Sequence, residues 1–146
     1  MATKRLMPYD VVERELGVIY RRAAATSRAM SREVHPDLEP SAYGLLVRID
    51  DLPSIRLTDL AAYFGVNKSS VSRQVAQLEQ LGLVGRTGDP SDRRASGLTL
   101  TTDGKSRLEA ARAARRARLR GLLGTWADAD VAELGQLLQR YNHLWE

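Results

Sequence analysis

The apolar residues of the chain recur mostly with the 3.6-residue period of α-helices, and this period changes to alternation at one place. Six segments with the helical period are predicted to be helices. They span residues 10–35, 41–51, 57–64, 67–81, 101–123 and 128–146. Leu98 and Leu100 alternate with threonines, so residues 83–87 and 97–101 are predicted to pair as two strands, and residues 55–56 to form a short bridging strand. The predicted fold class is mainly α, an α+β winged helix with six helices and a two-stranded β-wing.

Capping residues indicate where several of these helices begin. Asp10, followed three residues later by Glu13, has the spacing of a capping box and predicts the start of the first helix. Thr58 is the predicted N-cap of the third helix, with Leu57 before it as a hydrophobic staple. Asn67 is the predicted N-cap of the fourth helix.

The third and fourth helices have the pattern of a helix-turn-helix. Gly65, with the conformational freedom of glycine, is predicted to turn the chain tightly between them. Each helix has one apolar face, predicted to comprise Leu60, Ala61 and Phe64 in the third and Val71, Val75 and Leu78 in the fourth. The opposite face of the fourth helix carries small polar and basic side chains. The two predicted strands form a hairpin that follows this helix, with Asp92, Arg93 and Arg94 at its tip. Because such a helix and a basic hairpin suit the major groove and the adjacent minor groove of DNA, we expect a DNA-binding protein.

The first and last helices carry narrow apolar stripes that the middle of the chain cannot fully cover. A second copy of the chain would cover them most simply, so a homodimer is predicted. We expect one chain over residues 1–146, with a winged helix-turn-helix lobe at 41–102 and dimerisation helices at 10–35 and 104–146. The N- and C-terminal helices would thus form a helical dimerisation base.

Composition narrows the class of protein. The net charge of +4 favours a polyanionic partner, and the absence of cysteine excludes disulfides and thiolate metal sites. No apolar run reaches the length of about 20 residues that spans a bilayer, so a cytoplasmic protein without a membrane partner is expected. The two histidines are far apart in sequence, and no nucleophile or phosphate-loop motif is present. We therefore expect no enzymatic activity, no metal and no cofactor.

The arginine run of residues 112–120 has several interpretations. Residues 103–124 carry seven basic side chains against two acidic ones, whereas residues 125–146 carry one basic against four acidic. The run is thus either a solvated face that pairs with the last helix, or a surface for DNA. Arg115 lies on the apolar stripe of its helix, where it could also bind an anionic ligand or a carboxylate across a dimer.

Several segments together resemble the MarR family of bacterial transcription regulators. They are LTDLA at residues 57–61, SVSR at 70–73, LEQLGLV at 78–84, DPSDRR at 89–94 and LTLTTDG at 98–104. The resemblance is sharp over residues 57–104 and rests on the order and length of the helices elsewhere. It implies a winged helix-turn-helix homodimer that binds double-stranded DNA at a palindromic operator. Repression is the commoner mode in the family, and many members are released from DNA by a small anionic or phenolic effector.

The residues and the resemblance give a set of candidate sites. The predicted DNA-binding residues are Asn67, Lys68, Ser69, Ser70, Ser72, Arg73, Gln77, Arg86, Asp92, Arg93 and Arg94. Arg73 is expected at a base edge or a phosphate. The resemblance places Arg94 in the minor groove, steadied by Asp92. The residues expected to line an effector cleft are Tyr20, Tyr43, Arg48 and Arg115.

A different class of function also fits a winged helix. The chain could be a protein–protein interaction module without a specific DNA site. The serine- and arginine-bearing face of the fourth helix argues against this alternative, because a protein-binding face would show exposed aromatic or leucine side chains.

Overall fold

A computed structural model describes residues 7–88 and 96–145 of the chain. Its elements are α1 (Pro8–Val34), α2 (Pro40–Asp50), α3 (Leu57–Phe64), α4 (Lys68–Gln80), β1 (Val84–Thr87), β2 (Gly97–Leu100), α5 (Thr102–Leu122) and α6 (Asp128–Asn142), with a 3₁₀ turn at His143–Trp145. The strands are antiparallel and pair Val84 with Leu100 and Thr87 with Gly97. These elements confirm the predicted fold class of six helices with a two-stranded wing.

The chain divides into two compact units, Met1–Ala111 and Arg112–Glu146. The first unit holds a single apolar core, to which α2, α3, α4 and both strands contribute. Leu46, Leu60, Val75 and Leu98 are fully buried there. Ile55 extends the sheet, because its N–H and C=O both bond to Leu98, at 3.2 and 2.8 Å. The predicted bridge between α2 and α3 is therefore present.

Two of the three predicted N-caps are wrong, and one is confirmed. α1 begins at Pro8, so Asp10 is its third residue, and its carboxylate accepts a hydrogen bond from the Met7 N–H at 3.0 Å. α3 begins at Leu57, so Thr58 lies inside the helix and Arg56 occupies the N-cap. In both cases an acidic or hydroxyl residue within the first turn resembles a cap in sequence. Asn67 caps α4 as predicted.

Phe64 was predicted in the core, but the structure exposes 39% of its surface. It ends α3, and its ring meets that of Tyr63 edge to face, with centroids 5.0 Å apart. The backbone at Gly65 has a φ of 62°, which turns the chain toward α4 immediately after Phe64. The helical period predicts the direction of a side chain but not how far the core extends beneath it.

Both compact units expose large apolar side chains. In the first unit most of them lie along α1, among them Val12, Ile19 and Tyr20, and others lie at the end of α3 and in the turn after it. In the second unit most of them lie on the end of α5 and on α6, among them Leu122, Leu137 and Leu138. No helix among the described residues is long and apolar enough to span a membrane.

Candidate nucleic-acid interface

Helix α4 presents three strips of side chains with different surroundings. The first strip is apolar and fully buried, and consists of Val71, Val75 and Leu78. The second strip is exposed and consists of Ser69, Ser72, Arg73 and Ala76, with Lys68 at its start. The third strip is partly buried and consists of Ser70, Gln74 and Gln77. The exposed strip carries two cations and no carboxylate, so it attracts an anionic surface.

The side chain of Asn67 organises the start of α4. Its Oδ1 atom accepts hydrogen bonds from the Ser70 N–H and the Ser69 hydroxyl, both at 2.8 Å. The N-cap thereby satisfies one of the free N–H groups of the first turn. Asn67, Ser69 and Ser70 were predicted to bind DNA, and the structure brings them together at the start of α4.

Arg73 and Lys68 point away from the body of the chain. Both are exposed, and within the described residues neither makes a hydrogen bond or an ion pair. A guanidinium without an internal partner is free to form a bidentate contact with a phosphate or a guanine edge. Ser72, also exposed, lies beside Arg73 on the same strip.

Gln77, which was predicted to bind DNA, does not lie on the exposed strip of α4. Its Nε2 donates to the Asp37 carbonyl at 3.1 Å, and its buried Oε1 has no hydrogen-bond partner within the described residues. Gln74 donates in the same direction, from Nε2 to the Ser41 hydroxyl at 2.8 Å. Gln77 thus faces the connection between α1 and α2, and Gln74 faces the first turn of α2, because positions 74 and 77 border the buried strip.

Arg86, also predicted to bind DNA, is engaged inside the lobe. Its Nε donates to Glu79 Oε1 at 2.7 Å and its Nη2 to Oε2 at 3.3 Å, a bidentate ion pair between β1 and α4. Its Nη1 also donates to the Ser96 hydroxyl, at 3.3 Å. This pair fixes the base of the hairpin to the end of α4.

Thr101 joins the end of α4 to the start of α5. Its hydroxyl donates to the Gly82 carbonyl at 2.6 Å and accepts from the Gly104 N–H at 3.0 Å. Its own N–H donates to the Leu83 carbonyl at 3.0 Å. The bond to Gly82 could not be predicted, because sequence spacing does not show a partner 19 residues away.

The remaining predicted residues of the hairpin and of the effector cleft have mixed outcomes. Asp92, Arg93 and Arg94 lie outside the described residues. Tyr20 is exposed and Tyr43 is buried, while the Arg48 Cζ atom lies 4.1 Å from the centroid of the Tyr63 ring. Arg115 belongs to the second compact unit and is exposed. Their grouping around an effector stays a prediction.

Sequence reasoning missed the residues that hold α4 in place, namely Gln74, Glu79 and Ser41. One signal was available for Glu79, since it lies near the end of α4 and a basic residue follows on the next strand. No comparable signal existed for Gln74, whose partner Ser41 is 33 residues away. Among the described residues, no cluster of three or more histidine or carboxylate side chains could hold a metal ion.

Comparison with known proteins places this lobe in one family. A model of the MarR family matches residues 38–96. The chain is 37% identical over 135 residues to the uncharacterized HTH-type transcriptional regulator YxaD of Bacillus subtilis, and the match covers 92% of this chain and 93% of that protein.

Solved structures agree on the fold. The crystal structure of RV1404 from Mycobacterium tuberculosis is similar with a TM-score of 0.76 and 24% identity, over 95% of both chains. Streptococcus pneumoniae FabT, solved in complex with DNA, is similar with a TM-score of 0.72 and 17% identity, over 94% of this chain and 96% of that one. At these identities the likeness shows the winged-helix fold alone. Together with the family model and YxaD, it leads to one conclusion: the chain belongs to the MarR family, and is a DNA-binding transcription regulator and not an enzyme.

Proposed function

We propose that the protein is a homodimeric repressor that binds a palindromic operator through α4 and is released by a small anionic or phenolic ligand. The observation that carries the DNA-binding part is the exposed strip of α4, where Arg73 and Lys68 have no partner among the described residues. The relative FabT, of the same fold, was solved with DNA. Repression and release rest on what is common in the family.

The proposed contacts differ in what they do. Arg73 reads a base edge, while Lys68, Ser69 and Ser72 contact phosphates and set the position of the helix. Asn67 and Ser70 hold the first turn in place. Arg94 enters the minor groove with Asp92 and Arg93 beside it, because a narrow minor groove concentrates negative potential. Arg86 and Gln77 position the lobe instead of touching DNA.

The apolar residues exposed on both units support the homodimer. Ile19 on α1 and Leu122 on α5 each leave more than half of their surface uncovered. Exposed apolar side chains of this kind, on either unit, are unfavourable in a monomer and would be buried against a second copy of the chain. The two-fold symmetry of such a dimer would match an inverted repeat with half-sites about 34–36 Å apart.

A salt titration tests the proposed function. The full chain is titrated onto a DNA fragment from upstream of its own gene that contains an inverted repeat, and onto a scrambled fragment of equal length. We expect tight, preferential binding to the first fragment and an affinity that falls steeply with salt, by roughly 10³–10⁵ between 50 and 200 mM for six to ten phosphate contacts. Equal, salt-insensitive or absent binding to both fragments would contradict it and would favour an interaction module.

A further inference from the structure

The third strip of α4 links this helix to the connection between α1 and α2 and to the first turn of α2. Gln74 and Gln77 lie one turn apart, and their amides donate to the Ser41 hydroxyl and the Asp37 carbonyl at 2.8 and 3.1 Å. The first turn of α2 is also tied to α1, because the Ser27 hydroxyl donates to the Pro40 carbonyl at 2.7 Å. Hydrogen bonds therefore join α1 to the first turn of α2, and the first turn of α2 to α4.

Gln77 makes only part of its possible hydrogen bonds. Its Nε2 donates to the Asp37 carbonyl. In this orientation of the amide, Oε1 is buried and accepts no hydrogen bond from the described residues. A buried acceptor without a donor lowers stability, and an apolar side chain of similar size would avoid that cost. The residue thus contributes something other than stability.

We propose that Gln74 and Gln77 form a clamp that sets the orientation of α4 relative to α1, and so the half-site spacing that a dimer accepts. The apolar strip of Val71, Val75 and Leu78 holds α4 against the core through contacts that have no preferred direction. The hydrogen bonds of Gln77 to the Asp37 carbonyl and of Gln74 to the Ser41 hydroxyl are directional. They therefore fix the rotation of α4 about its axis and its position along that axis. Gln77 is then a positioning residue, and this inference rests on the proposed palindromic operator.

The clamp predicts a change in specificity instead of a general loss of binding. One base pair added between half-sites rotates one of them by about 35° relative to the other, so a fixed pair of helices tolerates few spacers. In the Gln77→Leu variant, α4 can adopt a wider range of orientations relative to α1. We expect affinity for the best operator to fall roughly tenfold and the preference among spacers to broaden by about one base pair in each direction.

The experiment measures binding of the wild-type protein and three variants to operators whose spacer is lengthened or shortened by one or two base pairs, and to random DNA. Gln80→Leu is the matched control, because Gln80 carries the same amide on an exposed position of α4. Ser41→Ala breaks the other arm of the clamp without changing α4, and is expected to broaden the spacer profile in the same way. Thermal unfolding checks that Gln77→Leu is at least as stable as the wild type.

Each outcome separates the alternatives. A broadened profile in Gln77→Leu and Ser41→Ala, with unchanged binding to random DNA and no effect of Gln80→Leu, supports the clamp. Gln77→Leu could instead lower the affinity for all DNA equally and reduce the slope of log affinity against log salt concentration by about one. That result would show that Gln77 contacts a phosphate and would overturn the clamp. An unchanged profile in both clamp variants overturns it as well. If the wild-type protein shows no preference among spacers, the proposal of a palindromic operator is contradicted, and so is the clamp that rests on it.

Discussion

The first turn of α4 depends on the single amide oxygen of Asn67, which accepts two hydrogen bonds. Asn67→Ala removes this N-cap, and we expect the free energy of unfolding to fall by about 0.5–2 kcal/mol. Asn67→Ser keeps a capping oxygen and is expected to retain most of the stability and of the DNA affinity. Urea denaturation and operator binding of both variants check this. If alanine and serine reduce DNA binding equally while stability is unchanged, Asn67 contacts DNA and does not act as a cap.

Gly104 is the residue where the backbone of α5 comes closest to the turn after α4. A Cβ atom there would overlap the Leu83 carbonyl oxygen and lie 2.9 Å from its carbon. Because that carbonyl already accepts the Thr101 N–H, it cannot move cheaply. We expect Gly104→Ala to lower the free energy of unfolding by about 1–3 kcal/mol.

A second glycine of α5 provides the control. A Cβ atom added at Gly121 would meet no other atom within 4 Å, so Gly121→Ala should raise helix stability by up to about 1 kcal/mol. Chemical denaturation of the two variants under one condition gives the comparison. Equal effects of the two substitutions would show that the contact with Leu83 does not constrain α5.

At the scale of elements, the ion pair of Arg86 and Glu79 holds the hairpin to α4. Both side chains are less than one-third exposed, so removing one partner leaves a half-buried charge. We expect Arg86→Met to lower the free energy of unfolding by roughly 1 kcal/mol and to leave the salt slope of DNA binding unchanged. Denaturation and a salt titration of the same variant measure both. If Arg86→Met instead reduces the slope of log affinity against log salt concentration by about one and leaves the free energy of unfolding unchanged, Arg86 contacts DNA.

The helices and strands could be predicted from the sequence where residues close together in the chain determine their faces and their ends. The buried strip of α4 follows from the spacing of Val71, Val75 and Leu78, and its cap from Asn67. The direction of Gln77 was not predictable, because it depends on the Asp37 carbonyl, 40 residues away. The predicted starts of α1 and α3 were wrong for a related reason, since several polar residues near a helix start can serve as a cap and only tertiary packing selects one.

At the scale of the whole molecule, the proposed function requires two copies of the chain. Ile19→Glu places a charge in the apolar stripe of α1, and we expect it to weaken the dimer because a buried carboxylate without a partner is strongly unfavourable. Val66→Glu is the matched control, since Val66 is about as exposed, at 48% against 54%, but lies in the turn between α3 and α4. Sedimentation equilibrium compares them. The proposed interface would be contradicted if the wild-type protein is a monomer, or if Ile19→Glu and Val66→Glu dimerise equally well.

The central claim is that the exposed strip of α4 reads a DNA sequence, and Arg73 tests it most directly. The measurement is the affinity of the wild type and of Arg73→Ala for the operator fragment and for a scrambled fragment at one salt concentration. We expect the wild type to prefer the operator by about 10³-fold or more. We also expect Arg73→Ala to lose about 1–3 kcal/mol on the operator and much less on the scrambled DNA. Equal operator affinity for the two proteins would contradict the claim.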